Sequence, residues 1–281
     1  ATTGLFVAMH EAIEIGRRTG VDVQMSHLKC NGTTKGRADE VLEIIERSRK
    51  EGLNIAADQY PYIAASGPMS GNEIPRWVQE GGREKALERL NDADIRAETR
   101  SDIDIATALL GGPDRITIAN FPPDLSYEGK SLEEISSKIG AQPSETLIRI
   151  YEQFDAQLIL FGMAEPDVKA IASADFVAVA SDGVSLRSEG PLSVGLPHPR
   201  SYGTFPRFFA MMVRGDKHMK LEEAVRKMTS LPAERLRLTR RGRLAPGYFA
   251  DITVFDAELI EDRSDFSTPH RYPEGVQHVF V

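Results

Sequence analysis

Three short apolar runs in this chain each end in a polar side chain able to do chemistry. Val21-Asp22-Val23-Gln24-Met25 leads to His27 and Lys29, Leu53-Asn54-Ile55-Ala56-Ala57 leads to Asp58 and Tyr60, and Phe176-Val177-Ala178-Val179-Ala180 leads to Asp182. A histidine and an aspartate on the tips of separate parallel strands can converge on one metal ion, because neutral imidazole and carboxylate are ordinary zinc ligands. A metal there acidifies a coordinated water, and a neighbouring carboxylate can relay its proton to a leaving group. The alternatives are structural: a His27 bonded to backbone at a strand end, and an Asp182 that closes an Asx turn in Ser181-Asp182-Gly183.

A second set suits an anion. Arg200, in the loop segment His198-Pro199-Arg200, can fork onto a carboxylate; Lys29 adds a point charge; a Tyr60 hydroxyl can donate to a carboxylate or an oxyanion. Against this stand solvated loop charges for Lys29 and Arg200, and aromatic packing for Tyr60 and Tyr62 around Pro61. Cys30, the single cysteine, reads as a buried thiol rather than a ligand. His198 reads as a residue that fixes its loop.

The elements that would position these groups follow from periodicity. Leu5 to Arg18 and Arg37 to Glu51 carry apolar residues at helical spacing, stopped by Gly20 and Gly52. Alternating strands and helices predict a parallel α/β sheet, whose functional groups lie at the C-terminal strand ends. Residues 68–130 interrupt the alternation with Gly-rich turns, helical pieces at Arg83–Leu90 and Asp94–Leu110, and a strand-like Arg115-Ile116-Thr117-Ile118; so long an excursion predicts an insertion or lid. Helices are expected at Ser131–Ile139, Ser144–Phe154, Pro166–Ala172, Phe205–Arg214, Leu221–Thr229 and Pro232–Leu238. The tail, Gly242 to Asp256 and Gly275 to Val281, reads as short antiparallel strands.

The totals narrow the class. The chain has 281 residues, 41% hydrophobic and 27% charged, with a net charge of −8. That charge argues against a nucleic-acid surface, no apolar run is long enough to span a membrane, and one cysteine fits a reducing, cytoplasmic compartment.

The stretches HEAIEIGRRTGVDVQMSHLK, ADQYPYIAAS, VASDG, HPRSYGTFPR and GRLAPGYFADITVFD together resemble the N-acyl-D-amino-acid deacylases (D-aminoacylases) of the amidohydrolase superfamily. The resemblance implies the C-terminal part of a metal-dependent (β/α)8 TIM-like barrel, strands 6 to 8, with an insertion after strand 7 at residues 68–130. It places the partial barrel in residues 1–238 and part of a small β-sandwich in residues 239–281. It implies zinc, one or two ions in the complete protein, with His27 as the ligand ending strand 6 and Asp182 as the strand 8 ligand that shuttles the proton. Lys29, Tyr60, Ser66 and Arg200 would hold the carboxylate of an N-acyl-D-amino acid. The family's remaining ligands, among them an H-x-H pair, are not in this chain. They are expected upstream of Ala1, in a missing N-terminal part that would be this chain's partner. Two rival readings are a cyclic amidase of the dihydroorotase or hydantoinase kind, and a catalytically incomplete fragment that only binds a ligand or partner.

Overall fold

The computed structural model describes residues 4–215 and 218–281. Helix α1 (Leu5–Thr19) ends at Gly20, whose left-handed φ of 72° lets its N–H close on Gly16 O. It leads through β1 (Val23–Met25) and α2 (Ala38–Lys50) to β2 (Ile55–Gln59). β1 pairs in parallel with β2, and β2 in parallel with β6 (Val177–Val179). The sheet order is β1-β2-β6, so the three runs that end in His27, Tyr60 and Asp182 lie side by side and run the same way. Met9 and Ile13 of α1, Val41 and Ile45 of α2, and Ile55, Ala57 and Val177 form one buried cluster beneath them. Apolar residues at helical spacing on α1 and α2 meet β-branched residues of the strands, which is why the alternation was readable.

The excursion between β2 and β6 is larger than residues 68–130. It contains a second sheet of order β3-β5-β4, formed by β3 (Ala65–Pro68), β4 (Ile116–Asn120) and β5 (Gln157–Leu160), all antiparallel. Helices α3 (Met69–Asn72), α4 (Arg83–Leu90), α5 (Ala93–Leu110), α6 (Leu132–Ile139) and α7 (Pro143–Gln153) accompany it. One cluster running from Met69 and Ile103 through Phe121, Leu132 and Ile148 to Leu160 is buried among them. Helices α6 and α7 therefore pack with the excursion and not under β6. The reason is physical: β5 is the central strand of this sheet, so everything threaded before it shares its core.

After β5 the chain passes α8 (Glu165–Ser173), β6 and a long loop to α9 (Arg200–Phe209), which begins five residues earlier than its apolar spacing indicated. Pro206 lies inside α9, and the chain widens into a π-turn at Ala210–Gly215. Helices α10 (Leu221–Met228) and α11 (Ser230–Arg235) follow. The tail forms the expected antiparallel pair, β7 (Ile252–Phe255) with β8 (Val276–Phe280). Among the described residues no helix is long and apolar enough to cross a membrane.

Candidate active site

The tip of β1 is shaped by Asp58. His27 has a φ of 43°, a left-handed conformation that a non-glycine residue adopts at a cost. Its N–H donates to Asp58 Oδ1 at 2.7 Å, and Gln24 Nε2 donates to Asp58 Oδ2 at 2.7 Å. The Leu28 N–H donates to the Asp58 carbonyl at 2.8 Å. Asp58 is thus committed to holding the His27 turn, a role its position beside Tyr60 did not reveal. The His27 side chain is exposed. Lys29 Nζ lies 2.9 Å from His27 Nδ1; an ammonium can only donate, so Nδ1 accepts in this contact and the hydrogen of a neutral ring is on Nε2. A metal on Nε2 would need the ring hydrogen moved to Nδ1 and facing a group that accepts it.

Asp182 also sits in a left-handed conformation, with φ 47°. The turn bond here comes from Ser181, whose Oγ accepts from Gly183 N–H. The Asp182 carboxylate points elsewhere: its Oδ2 pairs with Arg200 Nη1 at 2.9 Å. Gly183 is required because a Cβ there would come within 2.9 Å of Ser201 Cα, where the start of α9 crosses the strand tip.

Arg200 is the centre of the cluster. It is 9% exposed, with its guanidinium 4.8 Å over the Tyr60 ring and Nη2 donating to the Ser66 carbonyl at 3.3 Å. Although Nη1 is within ion-pair range of Asp182, its angle makes no proper hydrogen bond, and it is a buried donor without an acceptor. The Tyr60 hydroxyl is buried and likewise has no hydrogen-bond partner among the described residues. Burial holds the Tyr60 phenol at about 12, so it is a neutral donor. Burial pulls Lys29 down to about 8, with the nearby Asp182 carboxylate opposing that fall and Arg200 adding to it; its ammonium lies 5.5 Å from the Tyr60 ring centre.

The structure therefore brings together His27, Lys29, Tyr60, Asp182 and Arg200 at the C-terminal ends of the parallel strands. Ser66 is present differently from its expected role: Gln157 Nε2 donates to its Oγ at 3.2 Å, and it meets Arg200 through its carbonyl. Cys30 is buried, and burial pushes its thiol up to about 12, the state of an inert packing residue. His198 is buried with both ring nitrogens engaged. Among the described residues, no three His, Cys, Asp or Glu side chains gather as a metal site. His27 and Asp182 fit zinc in donor type, and they amount to two of the four ligands a zinc ion takes.

Known proteins carry the same arrangement of chain. The amidohydrolase family pattern matches residues 163–281. The N-acyl-D-glutamate deacylase of Alcaligenes xylosoxydans xylosoxydans is 33% identical over 98% of this chain and 47% of its own length. The D-aminoacylase of the same organism is 31% identical over 99% of this chain and 48% of its own. Among solved structures, the N-acyl-D-glutamate deacylase of Bordetella bronchiseptica, complexed with zinc and a phosphonate mimic of the reaction's tetrahedral intermediate, superposes with a TM-score of 0.77. That match has 31% identity and covers 99% of this chain and 49% of that one. A D-aminoacylase described by its binuclear metal centre gives a TM-score of 0.76 at 30% identity, covering 99% and 49%. The chain spans about half the length of the curated relatives it matches, and it is similar to these deacylases along nearly all of its own length.

Proposed function

We propose that this chain is part of a zinc-dependent enzyme that hydrolyses the amide bond of N-acyl-D-amino acids to a carboxylate and a free D-amino acid. The observation that carries the reading is the buried Arg200 Nη1, a guanidinium donor with no well-aligned acceptor, beside a Tyr60 hydroxyl with none. A buried donor left open costs roughly 1–3 kcal/mol; a substrate carboxylate would satisfy the Arg200 donor, with the Tyr60 hydroxyl beside it free to donate to another oxygen of the substrate. Lys29 adds a second positive charge next to them.

Zinc, when bound by His27 and Asp182 with further ligands, supplies Lewis acidity at the scissile amide. The Asp182 Oδ2 faces Arg200, and the carboxylate takes a proton from the attacking water and returns it to the leaving amine nitrogen. Tyr60, neutral because it is buried, donates to the oxygen that gains charge as the carbonyl is attacked. Asp58 keeps His27 in its left-handed turn, so the metal-facing ring has a fixed origin.

The parallel sheet is open at both edges among the described residues, since β1 and β6 each pair with β2 alone. Further strands of a barrel, carrying the remaining zinc ligands, are the natural occupants of those edges. Residues 1–238 would then be the barrel part, and 239–281 part of a sandwich built on β7 and β8.

A substrate panel on the zinc-loaded intact protein tests the reading. Release of free amino acid from N-acetyl-D-amino acids, with hydantoins untouched, is expected. Ring opening of hydantoins without deacylation would replace the reading with a cyclic amidase. A second reading, a ligand-binding piece without turnover, has the donor count in its favour; stoichiometric zinc together with turnover would remove it.

A further inference from the structure

Apart from Asp182, the parts that hold the Arg200 guanidinium come from one short segment. The Tyr60 face and the Ser66 carbonyl both lie within residues 60–66, and Ala64 sits between them. Arg200 comes from the first turn of α9, 134 residues away from Ser66. Something must set the offset between the two pieces of backbone, and one buried ring spans it. The Arg200 N–H donates to His198 Nδ1 at 3.0 Å, and His198 Nε2 lies 2.9 Å from the Ala64 carbonyl.

Counting protons fixes the state of that ring. A backbone N–H can only donate, so Nδ1 is bare; a backbone carbonyl can only accept, so Nε2 carries the hydrogen. His198 is therefore neutral and in one tautomer. It is 3% exposed, and burial together with the Arg200 charge pushes it down to about 3, so it keeps both bonds at any working pH. Its ring is also enclosed by aromatic edges, with Tyr62 and Phe266 at 5.0 Å and Tyr60 at 5.8 Å between centroids. At the same time it caps α9, because the first N–H groups of a helix have no acceptor within the helix.

We propose that His198 is a positioning residue for the substrate-carboxylate grip: its backbone-to-backbone bridge from Arg200 N–H to the Ala64 carbonyl sets the Arg200 guanidinium over Tyr60. The proposal rests on the reading of Arg200 as the carboxylate-binding group, and its test has one arm that does not need turnover. His198→Asn keeps an acceptor for the Arg200 N–H and is too short to reach Ala64. In the intact protein, the Arg200 Nε–H resonance, shifted by the Tyr60 ring current, moves in this variant while the amide spectrum elsewhere is retained. An unmoved resonance overturns the proposal whether or not the protein is an enzyme.

In the kinetic arm, KM for N-acetyl-D-alanine rises about tenfold, ~1.4 kcal/mol of lost binding, with kcat nearly unchanged. The preference in kcat/KM for that substrate over its neutral carboxamide falls by the same factor. Equal losses on both substrates, carried by kcat, would mean a role in folding alone and would overturn the proposal. If the wild type deacylates nothing, the functional reading fails and the resonance still decides His198. Should His198→Asn not fold, His198→Gln, whose amide N–H can still reach toward Ala64 but which has no acceptor at the Nδ1 position, serves for both arms with the same expectations.

Discussion

Two three-stranded sheets stand in this chain, and they are finished to different degrees. The antiparallel sheet β3-β5-β4 has a core of its own: its strands and α3–α7 share one cluster in which Ile103, Ile116, Ile118 and Leu158 are fully buried. Arg96 there is held by Glu145 and Glu152 at 2.8 and 2.6 Å, while the buried Glu73 Oε2 and Thr107 Oγ1 have no partner among the described residues. The parallel sheet β1-β2-β6 has shorter strands, and its tips carry a Tyr60 hydroxyl and an Arg200 nitrogen that make no well-aligned hydrogen bond, two residues in left-handed conformations, and a lysine drawn down by burial. Left-handed backbone gathered with buried donors at the strand tips, as at His27 and Asp182, marks the region that has something else to bind.

Substitutions should separate the two regions. The largest effect is expected of Asp182→Ala in the intact zinc-loaded enzyme: turnover falls by at least about 10³-fold, as for loss of a proton-transfer group, while the melting temperature stays near that of the wild type. In the other sheet, Phe121→Ala should cost roughly 3–5 kcal/mol in denaturant unfolding by opening a core cavity, with the folded fraction keeping its kcat and KM. A smaller effect is expected of Arg200→Lys, which keeps the charge and loses the fork: KM rises about tenfold with little change in kcat.

Lys227 tests the comparison through pH. It is fully buried beneath β6, donating to the Ala174 and Val177 carbonyls, and burial lowers it from 10.5 to about 8. Between those values the unfolded chain binds more protons than the folded one, so stability rises as pH climbs from 8 to 10.5. Lys227→Met should reduce that rise and cost about 1–3 kcal/mol at pH 7 through the Val177 carbonyl left without Lys227, read from denaturation curves at several pH values. Least of all, Arg243→Ala, which removes an ion pair with Glu234 that is exposed on both sides, should change stability by less than about 1 kcal/mol.

The legible parts of the molecule were those written in local pattern. β1, β2 and β6 are apolar runs bounded by turn residues, and the helices around them have clear stripes, so the tips carrying His27, Tyr60 and Asp182 could be placed side by side. β3, Ala-Ser-Gly-Pro, has no β-branched residue, and β5 is a four-residue run that follows α7 closely; neither announces a strand. Their pairing joins residues 91 apart, as in the Gln157–Ser66 bond, and no local period encodes such a contact. The same holds inside the site. Arg200 was named for its chemistry, yet its dependence on Ser66 O and on the His198 bridge, and the commitment of Asp58 to the His27 turn, exist only once distant segments have packed.

The most direct measurement of the central claim is an end-point count on the zinc-loaded intact protein with N-acetyl-D-alanine and its L enantiomer, free amino acid and acetate being measured together. The account predicts equal amounts of D-alanine and acetate, no release from the L form, and loss of both products in Asp182→Ala. No release from the D substrate by the zinc-loaded wild type, or undiminished release by Asp182→Ala, would contradict it.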